Sequence, residues 1–153
     1  MALRNIVELG DPILRKQCRP VGEVTDRTRT ILDDMVETMR NACGVGLAAP
    51  QVGIMRRMFV AEPEEGRVLY MVDPEILTME GEQTGEEGCL SVPGKVGTVI
   101  RPEKVVMKAK DRDGVEQTYE LEGFDAVVVC HEFDHLEGVL YVDKSDDVHY
   151  VEE

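Results

Sequence analysis

Of the three histidines in the chain, two stand in the run His131-Glu132-Phe133-Asp134-His135. On a helix turning about 100° per residue, His131 and His135 lie about 40° apart on one face, one turn from each other. Two imidazoles so placed can bind one metal ion. Glu132 falls beside them in angle, so its carboxylate can reach a water on that ion without being a ligand itself. The chemistry this pattern suits is metal-assisted hydrolysis with Glu132 as general acid and base.

Two histidines leave a third ligand open. In the long protease version of the motif a glycine follows the second histidine by three residues and a histidine by six. Here Gly138 fits but the later position is Tyr141. A glutamate from a later helix is no better a candidate, because Glu152 and Glu153 lie in an acidic tail that is expected to fray, with His149 on it. The ligand is therefore sought upstream, where two segments stand out. Gly44 to Gly53 is rich in small residues that let backbone approach a ligand, and its Gln51 offers an amide N–H to a developing oxyanion. Glu86-Glu87-Gly88-Cys89-Leu90-Ser91 presents a thiol between small neighbours, and a thiolate is a soft, strong metal ligand. Among the four cysteines, Cys130 points about 100° away from His131, Cys43 closes an apolar helical stripe, and Cys18 lacks a ligand-like setting. Cys89 is the best third ligand.

The elements that must position these groups are legible in outline. Ile31, Leu32, Met35, Val36, Met39 and Cys43 recur at helical spacing, which predicts a packing helix from Thr25 or Asp26 that Gly44 closes. Residues 1–24 read as irregular, with a turn at Asp11-Pro12. Short apolar runs predict strands at Met58–Val60, Val68–Val72, Ile76–Met79, Val96–Ile100, Lys104–Lys110 and Val115–Leu121. Breaks fall at Pro63, Asp73-Pro74 and Gly81, and a hairpin at Asp113-Gly114. Val105, Met107 and Ala109 alternate with Val106 and Lys108, the mark of a strand with one buried face. A second helix spans Gly123 to Glu137 and stops at Gly138. The fold class is α+β: mostly antiparallel strands around a central helix carrying H-E-x-x-H, with an N-terminal packing helix, all in one domain over 1–153.

Bulk properties narrow the function further. With 42% hydrophobic and 31% charged residues the chain has the profile of a globular protein. Its net charge of −14 disfavours nucleic acid or an anionic membrane as main ligand. No apolar run suffices for a membrane span. With no signal-like N-terminus and no C-x-x-C pair, the cysteines read as thiols and the location as cytoplasmic.

Taken in order, G-V-G-L-A-A-P-Q-V-G, E-E-G-C-L-S and H-E-F-D-H-L-E-G resemble the three signature motifs of the peptide deformylase family. The likeness extends through Gly10-Asp11-Pro12-Ile13-Leu14-Arg15 and Arg101-Pro102-Glu103-Lys104-Val105. Membership would imply removal of the formyl group from N-formylmethionine of new polypeptides, releasing formate. Cys89, His131 and His135 would hold one divalent metal, typically Fe2+, with Zn2+, Ni2+ or Co2+ as alternatives, and leave a fourth position for water. Gln51 and the Leu90 N–H would stabilise the oxyanion, and Glu132 would move the proton. Val45, Gly46 and Gly88 would hold the substrate backbone as an added strand, and Arg101 would line the groove. Phe124, Val127 and Val128 share the His131 side of the helix. They suit either an apolar pocket for methionine or plain core packing. Cys130 stands where many members have glutamine. The long basic C-terminal helix with which many members dock on the ribosome is not expected here, so any ribosome contact would be transient. A related amidase with the same metal site but another acyl group would share these motifs and differ in the pocket.

Overall fold

The computed structural model describes residues 2–151. Helix α1 (Asp26–Asn41) starts where Thr25 caps it: the Thr25 hydroxyl accepts the Thr28 N–H, and the Thr25 N–H donates to Thr28 Oγ1. This reciprocal cap satisfies donors that the first turn would otherwise leave open. Leu32, Met35, Val36 and Met39 are buried against Leu47, Met58, Val60 and Val72. Cys43 takes φ +59 and the Gly44 N–H returns to the Met39 carbonyl at 2.9 Å, which ends the run.

Five strands form one antiparallel sheet in the order β1-β2-β3-β6-β7. They are β1 (Gly46–Ala48), β2 (Met58–Glu64), β3 (Arg67–Glu80), β6 (Lys104–Lys110) and β7 (Glu116–Glu122). A second sheet, β4-β5-β8, is built from β4 (Gln83–Cys89), β5 (Val92–Arg101) and the short β8 (His149–Tyr150). Helix α2 (Phe124–Leu136) packs on β1, β2 and β7 and also meets β5 of the second sheet. Its Ala126, Val129 and Leu136 join Phe59, Met71, Val105, Met107 and Ala109 in the main core. The expected α+β architecture around the H-E-x-x-H helix is what forms.

Several boundaries differ for physical reasons. Asp73-Pro74 does not end a strand; β3 runs through it with a shift of register between Val72 and Glu75. Asp73 takes φ +49 there, and its carboxylate accepts the N–H groups of Val21 and Gly22 at 2.7 and 2.9 Å. A bulge thus ties down the N-terminal segment. Pro63 likewise sits inside β2. Strand β4 was not expected, since Gln83 to Cys89 carries almost no apolar pattern. Nor was β8: His149 and Tyr150 pair with β5 rather than fray, while Glu152 and Glu153 lie outside the described residues. Gly138, at φ +78, does close α2. A Cβ there would fall 2.7 Å from the Arg15 carbonyl carbon, so glycine also lets the single-turn 3-10 segment Pro12–Arg15 pack on the helix end.

Candidate functional site

Three elements converge on one cleft of about 460 Å³. From α2 come His131 and Glu132, both buried, and Phe124, Val127 and Val128. The segment around β1 contributes Val45, Gly46 and Gln51. The end of β4 contributes Gly88 and Cys89, and Leu90 follows in the turn to β5. His135 lies just behind, 1% exposed. The ligand atoms of Cys89, His131 and His135 lie within 4.8 Å of one another, and Cys89 Sγ is 3.4 Å from His135 Nε2. Cys130, by contrast, is buried, and burial pushes its thiol up to about 11, which makes it inert.

The donors suit a metal ion. His131 Nδ1 is tied to Glu87 Oε1 at 2.8 Å, which leaves Nε2 for the cleft, the carboxylate–imidazole arrangement that orients metal-binding histidines. Burial would discharge His131, but Glu132 and the bonds to Cys89 and Glu87 outweigh it and raise its pKa. Burial and His131 keep the second imidazole, His135, neutral by lowering its pKa well below the usual value. Glu132 Oε1 is buried without a partner, a costly state that a proton donor in the cleft would relieve; His135 Nδ1 is also unpartnered, and it is the other ring nitrogen, Nε2, that meets Cys89.

Glu132 rests against Gly46. A Cβ at that position would overlap the carboxylate, with Glu132 Cδ only 2.8 Å away, so only glycine lets β1 approach the acid this closely. Burial, opposed by His131 and reinforced by Glu87, raises the Glu132 pKa to about 7, the range in which a carboxylate serves both as base and as acid near neutrality. Gln51 is locked. Its Oε1 accepts the Ala48 N–H at 3.0 Å, which fixes the amide orientation, and its Nε2 donates to Ser91 Oγ at 3.0 Å and faces Cys89 Sγ at 3.5 Å. The amide N–H is thereby aimed at the metal-ligand group.

Arg101 is where expectation and structure part. It does not line the cleft; it is 3% exposed and makes a two-bond pair with Glu87 at 2.8 Å each, plus a bond to Asp134 at 2.7 Å. The antiparallel register, Gln83 opposite Arg101 and Glu87 opposite Gly97, turns both side chains to one face. Arg101 thus holds Glu87, and Glu87 holds His131. Although burial pushes the Glu87 carboxyl up, this pairing keeps it down at about 2. The residues not anticipated are Glu87, Ser91 and Tyr141, whose ring stacks on His131 at 6.0 Å. Glu87 had a signal in the doubled glutamate before Gly88-Cys89, but its partner lies fourteen residues away on the next strand.

Residues 3–150 match the family model described as polypeptide deformylase. The chain belongs to the peptide deformylase family. It is 54% identical over 148 residues to the peptide deformylase of Agathobacter rectalis, covering 95% of this chain and 92% of that protein. It is 50% identical to that of Thermoanaerobacter pseudethanolicus, covering 95% and 91%. In three dimensions it resembles the crystal structure of the Thermotoga maritima peptide deformylase, with a TM-score of 0.91 and 39% identity over 95% of this chain and 99% of that one. Deformylases are metal-dependent hydrolases that remove the N-terminal formyl group from new polypeptides, and the deformylase function of this chain follows from its membership. Among the described residues, the Cys89, His131 and His135 group is its candidate metal site. No helix among them is long and apolar enough to cross a membrane.

Proposed function

We propose that the cleft is where formylmethionyl peptides are hydrolysed, with one divalent ion held by Cys89, His131 and His135. Fe2+ is the first choice, and Zn2+, Ni2+ and Co2+ suit the same thiolate–imidazole donors. A bound ion supplies Lewis acidity, polarising the formyl carbonyl and acidifying a water. Glu132 takes the proton of the attacking water and returns it to the leaving amine, which its pKa of about 7 equips it to do. Gln51 Nε2 and the Leu90 N–H donate to the oxyanion. Phe124, Val127 and Val128 receive the methionine side chain. Val45, Gly46 and Gly88 hold the peptide backbone as an added strand. Arg101 acts through Glu87 rather than on the substrate.

The observation that carries this reading is the gathering of three ligand atoms within 4.8 Å beside a buried, unpartnered Glu132 carboxylate. Residues 1–153 act as one catalytic domain in the cytoplasm, where nascent chains emerge. Contact with the ribosome is transient, because a net charge of −14 opposes lasting attachment to RNA. Formate release from formyl-Met-Ala-Ser, set against acetate release from acetyl-Met-Ala-Ser, tests the reaction, and equal rates would sink it. Glu132→Gln should keep its metal and lose about 10²- to 10⁴-fold in kcat; full turnover in that variant would remove Glu132 from the mechanism.

A further inference from the structure

Among the described residues that line the cleft, Lys95 of β5 is the one lysine or arginine. Its ammonium lies 4.8 Å from the centre of the Tyr150 ring, the geometry of a cation–π contact. This contact is built by the pairing of β8 with β5, which sets Lys95 opposite Tyr150 and Val96 opposite His149. The Val151 N–H donates to the Gly94 carbonyl at 2.8 Å. Further along, Asp147 accepts both the N–H and the hydroxyl of Thr98 at 2.6 and 2.8 Å. The segment from Asp147 to Val151 is thus fastened along β5, and Tyr150 holds the ammonium of Lys95, itself a residue of the cleft wall.

The other charges there do not compete equally. Glu132 is buried inside, and Glu87 is neutralised by Arg101; Glu86 is the exposed acid at the rim. Lys95 also lies near Gly88, the residue before Cys89, where the register of β4 against β5 shifts between Glu87 and Cys89. A Cβ on Gly88 would meet the Lys95 carbonyl oxygen at 3.5 Å. A peptide strand laid along Gly88 therefore leaves the cleft past Lys95.

We propose that Lys95, held by Tyr150, selects for a carboxylate in the first two residues after formylmethionine. The inference rests on reading the cleft as the formyl-peptide site. A net charge of −14 repels acidic peptides at long range, and Lys95 is the local counterweight that lets them bind. An exposed pair of this kind changes binding modestly, by a factor of about two to five. It acts on KM rather than kcat, because the contact is the same in the ground and transition states.

The test compares kcat/KM for four C-terminally amidated peptides: formyl-Met-Ala-Ser, formyl-Met-Asp-Ser, formyl-Met-Ala-Asp and formyl-Met-Lys-Ser. With the unaltered enzyme, at least one Asp peptide should exceed the Ala-Ser peptide by about two- to fivefold at low salt, through a lower KM, and the Lys peptide should fall below it. The Asp-to-Ala ratio should shrink toward unity in Lys95→Gln, invert in Lys95→Glu, and weaken in Tyr150→Leu. Raising salt to about 0.5 M should also compress it. A ratio unchanged in both Lys95 variants would overturn the selection. Formate release from the neutral peptide shows independently that the cleft is the deformylation site, and no release from any formyl peptide would overturn that reading instead.

Discussion

The two helices of this molecule handle buried polarity in opposite ways. On α1, Asp34 and Thr38 are buried, and both are paired with the N-terminal segment. Asp34 accepts the Ala2 N–H and two bonds from Arg4, at 2.8 to 3.1 Å, and Thr38 accepts the Arg4 N–H at 3.0 Å. On α2, His131, Glu132 and His135 are buried on a helix whose buried residues fall on every face. Their hydrogen-bond partners are few: Glu87 for His131 and Cys89 for His135, both on β4. Of the buried side-chain atoms without a hydrogen-bond partner among the described residues, Glu132 Oε1, His135 Nδ1 and Tyr141 Oη gather at the inner end of α2, and Glu37 Oε2 lies on α1. The satisfied Asp34 and Thr38 on α1 fasten the N-terminal segment. On α2 the Glu87–Arg101–Asp134 network holds His131, while the Glu132 carboxylate beside it stays without a partner in the cleft.

This contrast can be broken most severely at the ligand. Cys89→Ala should bring bound metal well below one equivalent and reduce formate release by about a thousandfold or more. Metal analysis beside the activity assay checks this, and retained stoichiometric metal would remove Cys89 from the ligand set. The melting temperatures of the chelated parent and variant should stay close, because the half-buried thiol adds little to the core.

The next break is in the support. Arg101→Met leaves Glu87 and part of Asp134 as buried charge without their guanidinium, a loss of about 3–5 kcal/mol. Thermal denaturation should show a fall of about 10 °C at this chain length, and metal affinity should drop as His131 loses its orientation. A variant that melts with the parent would mean the network carries no strain of charge. The smallest effect belongs to α1: Thr25→Ala removes the cap, about 1 kcal/mol or about 3 °C. Formate release at 25 °C should be unaffected, since the cap touches nothing in the cleft.

The same contrast explains what was legible. The α1 stripe from Ile31 to Met39, the β6 alternation and the end of α2 at Gly138 are local patterns, and they formed where their periodicity put them; Cys43, expected to finish the α1 stripe, instead lies beyond the helix, exposed and in the left-handed conformation that Gly44 was expected to supply. The α2 chemistry was also local, because one turn of helix brings His131 and His135 together. Strand β4 was missed because Gln83 to Cys89 has no apolar alternation; it is held by β5 rather than by its own propensity. Arg101 was misplaced for a related reason. An arginine after a glycine-rich hairpin reads equally as a groove residue or as a buried partner, and only the register of β4 against β5 turns it onto Glu87.

From sequence alone came the candidate ligands Cys89, His131 and His135, the proposed acid Glu132 and amide Gln51, and the family, since these are carried by residue types at short spacings. The tertiary structure decided how those groups are held and charged. Glu87 and Arg101 meet across two strands, Gly46 makes room for the Glu132 carboxylate, and β8 brings Tyr150 under Lys95. Each depends on contacts between residues far apart in the chain, whose distances no local pattern encodes.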